Sequence, residues 1–375
     1  MSHSLLAQVL DAQRRNWATN RRFTVEEILR LNPAIANDSQ AILDLIYNEV
    51  VLREQAGETP HLTEYVKRFP ALADELRIQF EVHAAIQSDS GTHDLSALPV
   101  IPGFDIVREI GQGGMGRVFE AMHHLTERRV AVKLLRWELF SSPEARKRFE
   151  IESRIGAILD HPHIVPTITV GECPAGPYLV LKLMADRSLA DRIGKGLSPT
   201  EAATILAPVC DAVHAAHEAG VIHRDLKPAN ILFDSSGSPA VSDFGMAKLV
   251  PRALAVGFST TRDGSLMGTP AFMAPEQASG HAPAIAQDVY ALGAVVFATL
   301  TGRPPYDEGS FVATLIRLRA GGPPPRVQAI RPDLPAAFVA ICDRCLATKP
   351  TDRYLTAAAV AHELRRVTSS RTARA

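Results

Sequence analysis

Val221-Ile-His-Arg-Asp-Leu-Lys-Pro-Ala-Asn230 is the stretch on which the reading of this chain turns. Asp225, Lys227 and Asn230 sit two and three residues apart in it and carry different competences. A carboxylate accepts a hydroxyl proton, an ammonium neutralises a phosphate, and a carboxamide oxygen ligates a hard cation. Together they suit the movement of a phosphoryl group onto an alcohol, where positioning and charge neutralisation supply most of the catalysis. Taken alone the stretch is weak evidence. Its meaning depends on complementary parts elsewhere, in order and at workable distances.

Those parts are present. Phe104-Asp-Ile-Val-Arg-Glu-Ile110 alternates as a strand does. Gly111-Gln-Gly-Gly-Met-Gly116-Arg-Val118 follows, a G-x-G-x-x-G-x-V in which glycines let backbone amides approach phosphate oxygens. Such a loop equally suggests a dinucleotide fold. Here a strand, Arg117–Ala121, follows the loop instead of a helix, and Val130-Ala-Val-Lys133 comes next. Downstream, Ser242-Asp-Phe-Gly245 adds a second carboxylate, Asp243, about one hairpin past Asn230.

On these motifs the chain resembles the protein kinases. H-R-D-x-x-x-x-N, V-A-I-K, D-F-G and A-P-E are signature elements of that family. Lys227 and Gly268-Thr-Pro-Ala-Phe-Met-Ala-Pro-Glu276 point to its serine/threonine branch, and the helical leader to bacterial members. The resemblance runs from about Phe104 to Leu364. It implies an α+β, bilobal protein-kinase fold, a small β-rich lobe on a large helical lobe, preceded by a small all-helical module. It also implies ATP and Mg2+. Asp225 would orient and deprotonate the acceptor hydroxyl, Lys227 would offset charge on the transferred group, and Asn230 and Asp243 would hold metal. Lys133 would meet the α- and β-phosphates and be held by Glu152. The nucleotide would be covered by Ile110, Gly111, Gln112, Gly113, Gly114, Met115 and Gly116. Val118, Ala131 and Leu232 would sandwich the purine, and the backbone of Lys182 to Met184 would meet its edge. Asp288 would brace the catalytic loop, and Arg353 would pair with Glu276.

The chain departs from the family pattern in places. Gly156 lies one turn after Glu152, where the family packs a side chain, and implies a loosely held helix over Pro143–Leu159. Lys182 is an unusual hinge side chain, and Phe272 replaces the commoner Tyr. Between Asp243 and Glu276, Ser259, Thr260, Thr261 and Ser265 are candidate phosphoacceptors. The resemblance implies that Arg224 receives the phosphate, and it favours Thr261, which lies seven residues before Gly268 as the usual site in bacterial relatives does. Asp263 lies where such relatives carry a second phosphothreonine and would supply part of that charge permanently.

Residues 1–87 read as a helical module. Thr24-Val-Glu-Glu27 is a capping box, Asn32-Pro33 a stop, and Ala41–Arg53 carries a helical apolar stripe. A short helix over Thr63–Arg68 and a longer one over Ala71–Ile86 complete it. The segment from Val25 to Ala36 aligns with that from Leu62 to Ala73 at constant offset, Pro33 matching Pro70. Duplication and two hairpins sharing turn chemistry both account for this. Residues 88–101 read as a linker, 102–366 as the kinase domain and 367–375 as a flexible tail.

Composition excludes several classes. With 40 Lys and Arg against 41 Asp and Glu, bulk attraction to nucleic acid is not expected. The start lacks a basic region leading into an apolar core, so no signal peptide is expected, and Tyr290–Leu300 is too short to cross a bilayer. Four cysteines in 375 residues make no disulfide framework and suit a reducing cytoplasm. Cys342-Asp-Arg-Cys345 reads as two buried residues on a helix, since nothing nearby completes a zinc site. Expected partners are protein substrates, proteins recruited by the N-terminal helices, and a second copy of the chain during activation. The alternatives are a nucleotide-binding scaffold that hardly turns over and a small-molecule kinase, which Gly268–Glu276 disfavours.

Overall fold

The computed structural model describes residues 9–10, 12–13, 15–17, 22–36, 38–77, 79–80, 98–113, 116–135, 159–185, 187–194, 196–244, 270–307 and 311–372. It divides into two compact units, Met1–Ser88 and Asp89–Ala375.

In the first unit, helix α1 (Val25–Leu31) opens on the predicted capping box. The Glu27 N–H donates to Thr24 Oγ1 at 3.3 Å, and the Thr24 N–H to Glu27 Oε2 at 2.9 Å. Helix α2 (Ser39–Gln55) and α3 (Leu62–Arg68) follow. The helix expected from Ala71 opens instead as a 3-10 turn, Pro70–Leu72, and continues helically over 73–77 and 79–80; its remainder to Ile86 lies outside the described residues. The two aligned segments end alike. Asn32 has φ −130° and ψ 69°, Phe69 has φ −131° and ψ 66°. Ile35 N–H then donates to Asn32 O at 3.1 Å, as Leu72 N–H does to Phe69 O at 3.0 Å. Glu49, buried in α2, joins the helices. It accepts from Arg68 Nη1 at 2.6 Å, the Tyr65 hydroxyl at 3.0 Å and the Val25 N–H at 3.0 Å, which offsets the cost of burying its charge.

In the second unit, β1 (Phe104–Gly113), β2 (Gly116–His123), β3 (Arg129–Leu135), β4 (Thr167–Cys173) and β5 (Gly176–Lys182) form an antiparallel sheet of order β1-β2-β3-β5-β4. Alternation divides β3 between two faces. Val130, Val132 and Leu134 join Phe119, Tyr178 and Val180 in one core. Ala131 and Lys133 point the other way, opposite Leu181 and Leu179 on β5, with Val118 across from Lys133 on β2. Gly116 is required where it stands: at φ +152° a Cβ would run into the Leu134 carbonyl oxygen.

The helical lobe begins with α4 (Leu189–Ile193) and α5 (Pro199–Glu218). A two-stranded ribbon, β6 (Ile231–Phe233) and β7 (Pro239–Val241), follows the catalytic loop. Then come α6 (Pro275–Ala278), α7 (Ile285–Thr301), α8 (Phe311–Arg319), α9 (Ala336–Cys345) and α10 (Ala357–Thr372). Helix α7 is buried from Gln287 to Leu300, which explains its unbroken apolar run. Helix α10 runs on to Thr372, into the stretch expected as a tail, and Arg365 pairs with Asp211 on α5. Cys342 and Cys345 are buried on α9, and the described residues hold no cluster of three metal-ligating side chains. No helix among the described residues is long and apolar enough to cross a membrane.

Candidate active site

The catalytic loop hangs between α5 and β6. Helix α5 starts sharply because Ser198 and Glu201 exchange bonds across its first turn and Pro199 takes the first helical position. It ends at Gly220, φ +76°, where the chain turns back towards α7. Asp288 on α7, fully buried, receives that turn. It accepts the N–H of His223 at 2.7 Å, the N–H of Arg224 at 2.8 Å and a 2.8 Å bond with His217 Nε2. Arg224 is held at φ +69°, a strained conformation for a residue with a side chain.

Beyond this brace the polar groups converge. Lys227 Nζ lies 2.8 Å from Asp225 Oδ2. Asn230 Nδ2 donates to the Asp225 carbonyl at 2.7 Å and to its Oδ2 at 3.2 Å. The Asn230 carbonyl accepts the Ser242 N–H at 2.9 Å, which brings in the next residue, Asp243. Asp243 sits at φ +66° and pairs through Oδ1 with Lys133 Nζ at 2.7 Å, so a lysine of the sheet meets a carboxylate of the helical lobe. His223 staples the same region: its Nε2 meets the Ser242 carbonyl at 2.8 Å, and its ring packs edge-on to Phe244 at 4.7 Å. A cavity of about 30 Å3 lies beside Lys133, Asp243 and Phe244, walled by Thr167, Leu179 and Leu181.

Electrostatics follow from this packing. Burial works against the Asp243 carboxylate, but Lys133, then Lys227 and His223, outweigh it and hold its pKa below the ordinary value. Burial likewise opposes the Lys227 charge, yet Asp225 and Asp243 raise its pKa above the usual ammonium value. The site is an alternating string of two ammonium groups and two carboxylates, with one carboxamide beside them.

A family model described as "Protein kinase domain" matches residues 104–364. The chain belongs to the protein kinase family. The chain is 36% identical over 281 residues to a probable serine/threonine-protein kinase of Corynebacterium efficiens, a match covering 72% of this chain and 42% of that protein. It is 38% identical to serine/threonine-protein kinase Pkn1 of Myxococcus xanthus, over 70% of this chain and 38% of that protein. These matches span about two fifths of the relatives' length. Among solved structures, the kinase domain of Mycobacterium tuberculosis PknI superposes with TM-score 0.57 at 26% identity, covering 73% of this chain and 99% of that one. The bilobal α+β kinase fold accounts for the sheet and the helical lobe alike.

Not every residue picked from the sequence can be placed. Glu152, Gly114, Met115, Gly156, Gly245, Gly268, Thr261, the other loop hydroxyls and Asp263 lie outside the described residues. Gly111, Gln112 and Gly113 end β1, with Ile110 exposed before them. Ala131 is buried, while Val118, Leu232 and Met184 are half-buried. Lys182 donates its N–H to the Pro166 carbonyl at 3.0 Å, which leaves contacts with a base to its carbonyl and to residues 183–184. Arg353, completely buried, grips Glu276 through two bonds of 2.6 and 2.9 Å and the Ala286 carbonyl through a third.

Sequence reading missed three participants. His217, at the end of α5, is a polar partner of Asp288. Phe244 packs on His223. Gln277, beside Glu276, donates to the Arg224 carbonyl at 2.9 Å. The signal available for it in the sequence is an amide side chain directly after the motif glutamate, Glu276.

Proposed function

We propose that this chain is a serine/threonine protein kinase that transfers the ATP γ-phosphoryl group to protein hydroxyls. The observation that carries the reading is the convergence of two polar groups, Lys133 paired with Asp243 and Lys227 and Asn230 bonded to Asp225, with Asp243 near enough to act on the Lys227 charge. Asp225 stands half-exposed at the mouth of this network, with Lys227 as its neutralising neighbour, and accepts the proton of an incoming hydroxyl. Lys227 then balances charge on the moving group, and Lys133 neutralises the remaining phosphates.

The residues fit magnesium. The nitrogen end of the Asn230 amide is committed to Asp225, which leaves its oxygen for a cation, and Asp243 keeps Oδ2 while Oδ1 meets Lys133. One carboxylate and one carboxamide oxygen are a hard-donor set of the kind Mg2+ accepts beside substrate phosphates. When bound, the metal supplies charge stabilisation to the phosphate oxygens.

The proposal extends to autophosphorylation at Thr261 and to recruitment of partner proteins or substrates by the N-terminal helices. A second copy of the chain is the proposed partner in activation. The four cysteines, all buried and unpaired, support a reducing compartment such as the cytoplasm. Radiolabel transfer from ATP to a generic basic protein tests the core of it. Wild type is expected to exceed Asp225→Asn by about 100-fold or more. Equal transfer would replace the enzyme by a nucleotide-binding scaffold.

A further inference from the structure

Three consecutive peptide groups lead into Asp225, and side chains hold all three. The first two offer the N–H groups of His223 and Arg224 to the Asp288 carboxylate. The third, joining Arg224 to Asp225, is held at both ends. Its carbonyl accepts from Gln277 Nε2 at 2.9 Å, and its N–H reaches His223 Nδ1 at 3.3 Å. Arg224 between them is strained at φ +69°. Such a conformation persists where the surroundings impose it. Rotating the third peptide plane, about ψ of Arg224 and φ of Asp225, would swing the Asp225 side chain off its line. The Gln277 amide opposes that rotation.

Gln277 is itself firmly mounted. It stands between Glu276, gripped by the buried Arg353, and Ala278, fully buried, whose carbonyl accepts from Arg319 Nε at 2.8 Å. We infer that Gln277 is a positioning residue for phosphoryl transfer: its amide locks the Arg224–Asp225 peptide and thereby aims the Asp225 carboxylate. The inference rests on the kinase reading.

The full chain carrying Gln277→Met or Gln277→Glu tests this. Methionine keeps the length without a donor. Glutamate at neutral pH turns an acceptor towards the Arg224 carbonyl, and on protonation regains a donor. Gln277→Met is expected to lower kcat about tenfold, the weight of one well-placed bond, with KM for ATP within about twofold. Amide hydrogen exchange over 221–230 is expected to quicken. The deficit of Gln277→Glu against wild type is expected to shrink as pH falls towards about 5.5, where part of its carboxyl is protonated. His223, Asp225 and Glu276, the ionisable groups nearest this bond, are present in both proteins, so whatever they contribute cancels in that ratio, whereas a merely structural role would leave it flat. Unchanged kcat in Gln277→Met, a loss without faster exchange over 221–230, or a pH-indifferent deficit in Gln277→Glu would each overturn the inference. If wild type transfers no phosphate, the kinase reading fails separately. Exchange over 221–230 then decides alone: faster exchange in Gln277→Met supports the lock, and unchanged exchange overturns it.

Discussion

Single residues in this molecule matter in proportion to how many buried donors depend on them. Asp288 accepts from two backbone N–H groups and pairs with one imidazole, all out of water. Asp288→Ala strands those donors, and each unpaired buried group costs about 1–3 kcal/mol. Urea unfolding is expected to lose several kcal/mol, and kcat is expected to fall further than stability explains because Arg224 and Asp225 lose their brace. Arg353 is the other such residue. Its guanidinium is wholly buried on Glu276 and three backbone carbonyls. Arg353→Met leaves a mostly buried glutamate alone, and breaking a buried pair this way costs about 3–5 kcal/mol. Thermal unfolding checks it, with a fall in melting temperature and no change in KM for ATP among the molecules that remain folded.

Elements here are specified mainly by their ends. Helix α5 begins where it does because Ser198 accepts the Glu201 N–H while Glu201 reaches back to the Ser198 N–H. Ser198→Ala is expected to cost about 1 kcal/mol in urea unfolding, with activity at saturating ATP unchanged. Such caps were legible in the sequence, as were the strands around Gly111–Gly116 and the buried run of α7. Caps, turns and periodicity are local, and the residues that carry them are neighbours. What lay beyond the sequence was register between elements. Asp288 and His217 are 71 residues apart, Gln277 and Arg224 53 apart, and Lys133 and Asp243 110 apart. Helical spacing can say which face of a segment is apolar. It does not say that His217, near the end of α5, arrives opposite a carboxylate of α7. The same limit explains why the helix expected from Ala71 opened as a 3-10 turn. Pro70 has no N–H to give, and the Phe69 carbonyl is taken up by the Leu72 N–H instead.

At the scale of the whole molecule, charge pairing sets the response to acid. Arg68 holds the Glu26 pKa below its ordinary 4.5, and Lys133 and Lys227 hold Asp243 below 3.8 against the opposing effect of burial. A folded-state pKa below the unfolded one means these carboxylates add stability above the ordinary carboxylate range. That stability is lost as pH falls through the lowered values. Both compact units are therefore expected to weaken on acidification, and Glu26→Gln is expected to flatten the acid limb of the first unit's urea midpoint plotted against pH. Thiol placement adds a different consequence. Cys173 closes the β4–β5 turn, while Cys210, Cys342 and Cys345 lie inside the helical lobe, where burial pushes the last three thiols far from their reactive anionic form. An alkylating reagent can reach any of them only after local opening. The chain thus carries two sets of clocks, one per lobe, and peptide-resolved maleimide labelling would time the breathing of sheet and helices separately, without adding a probe.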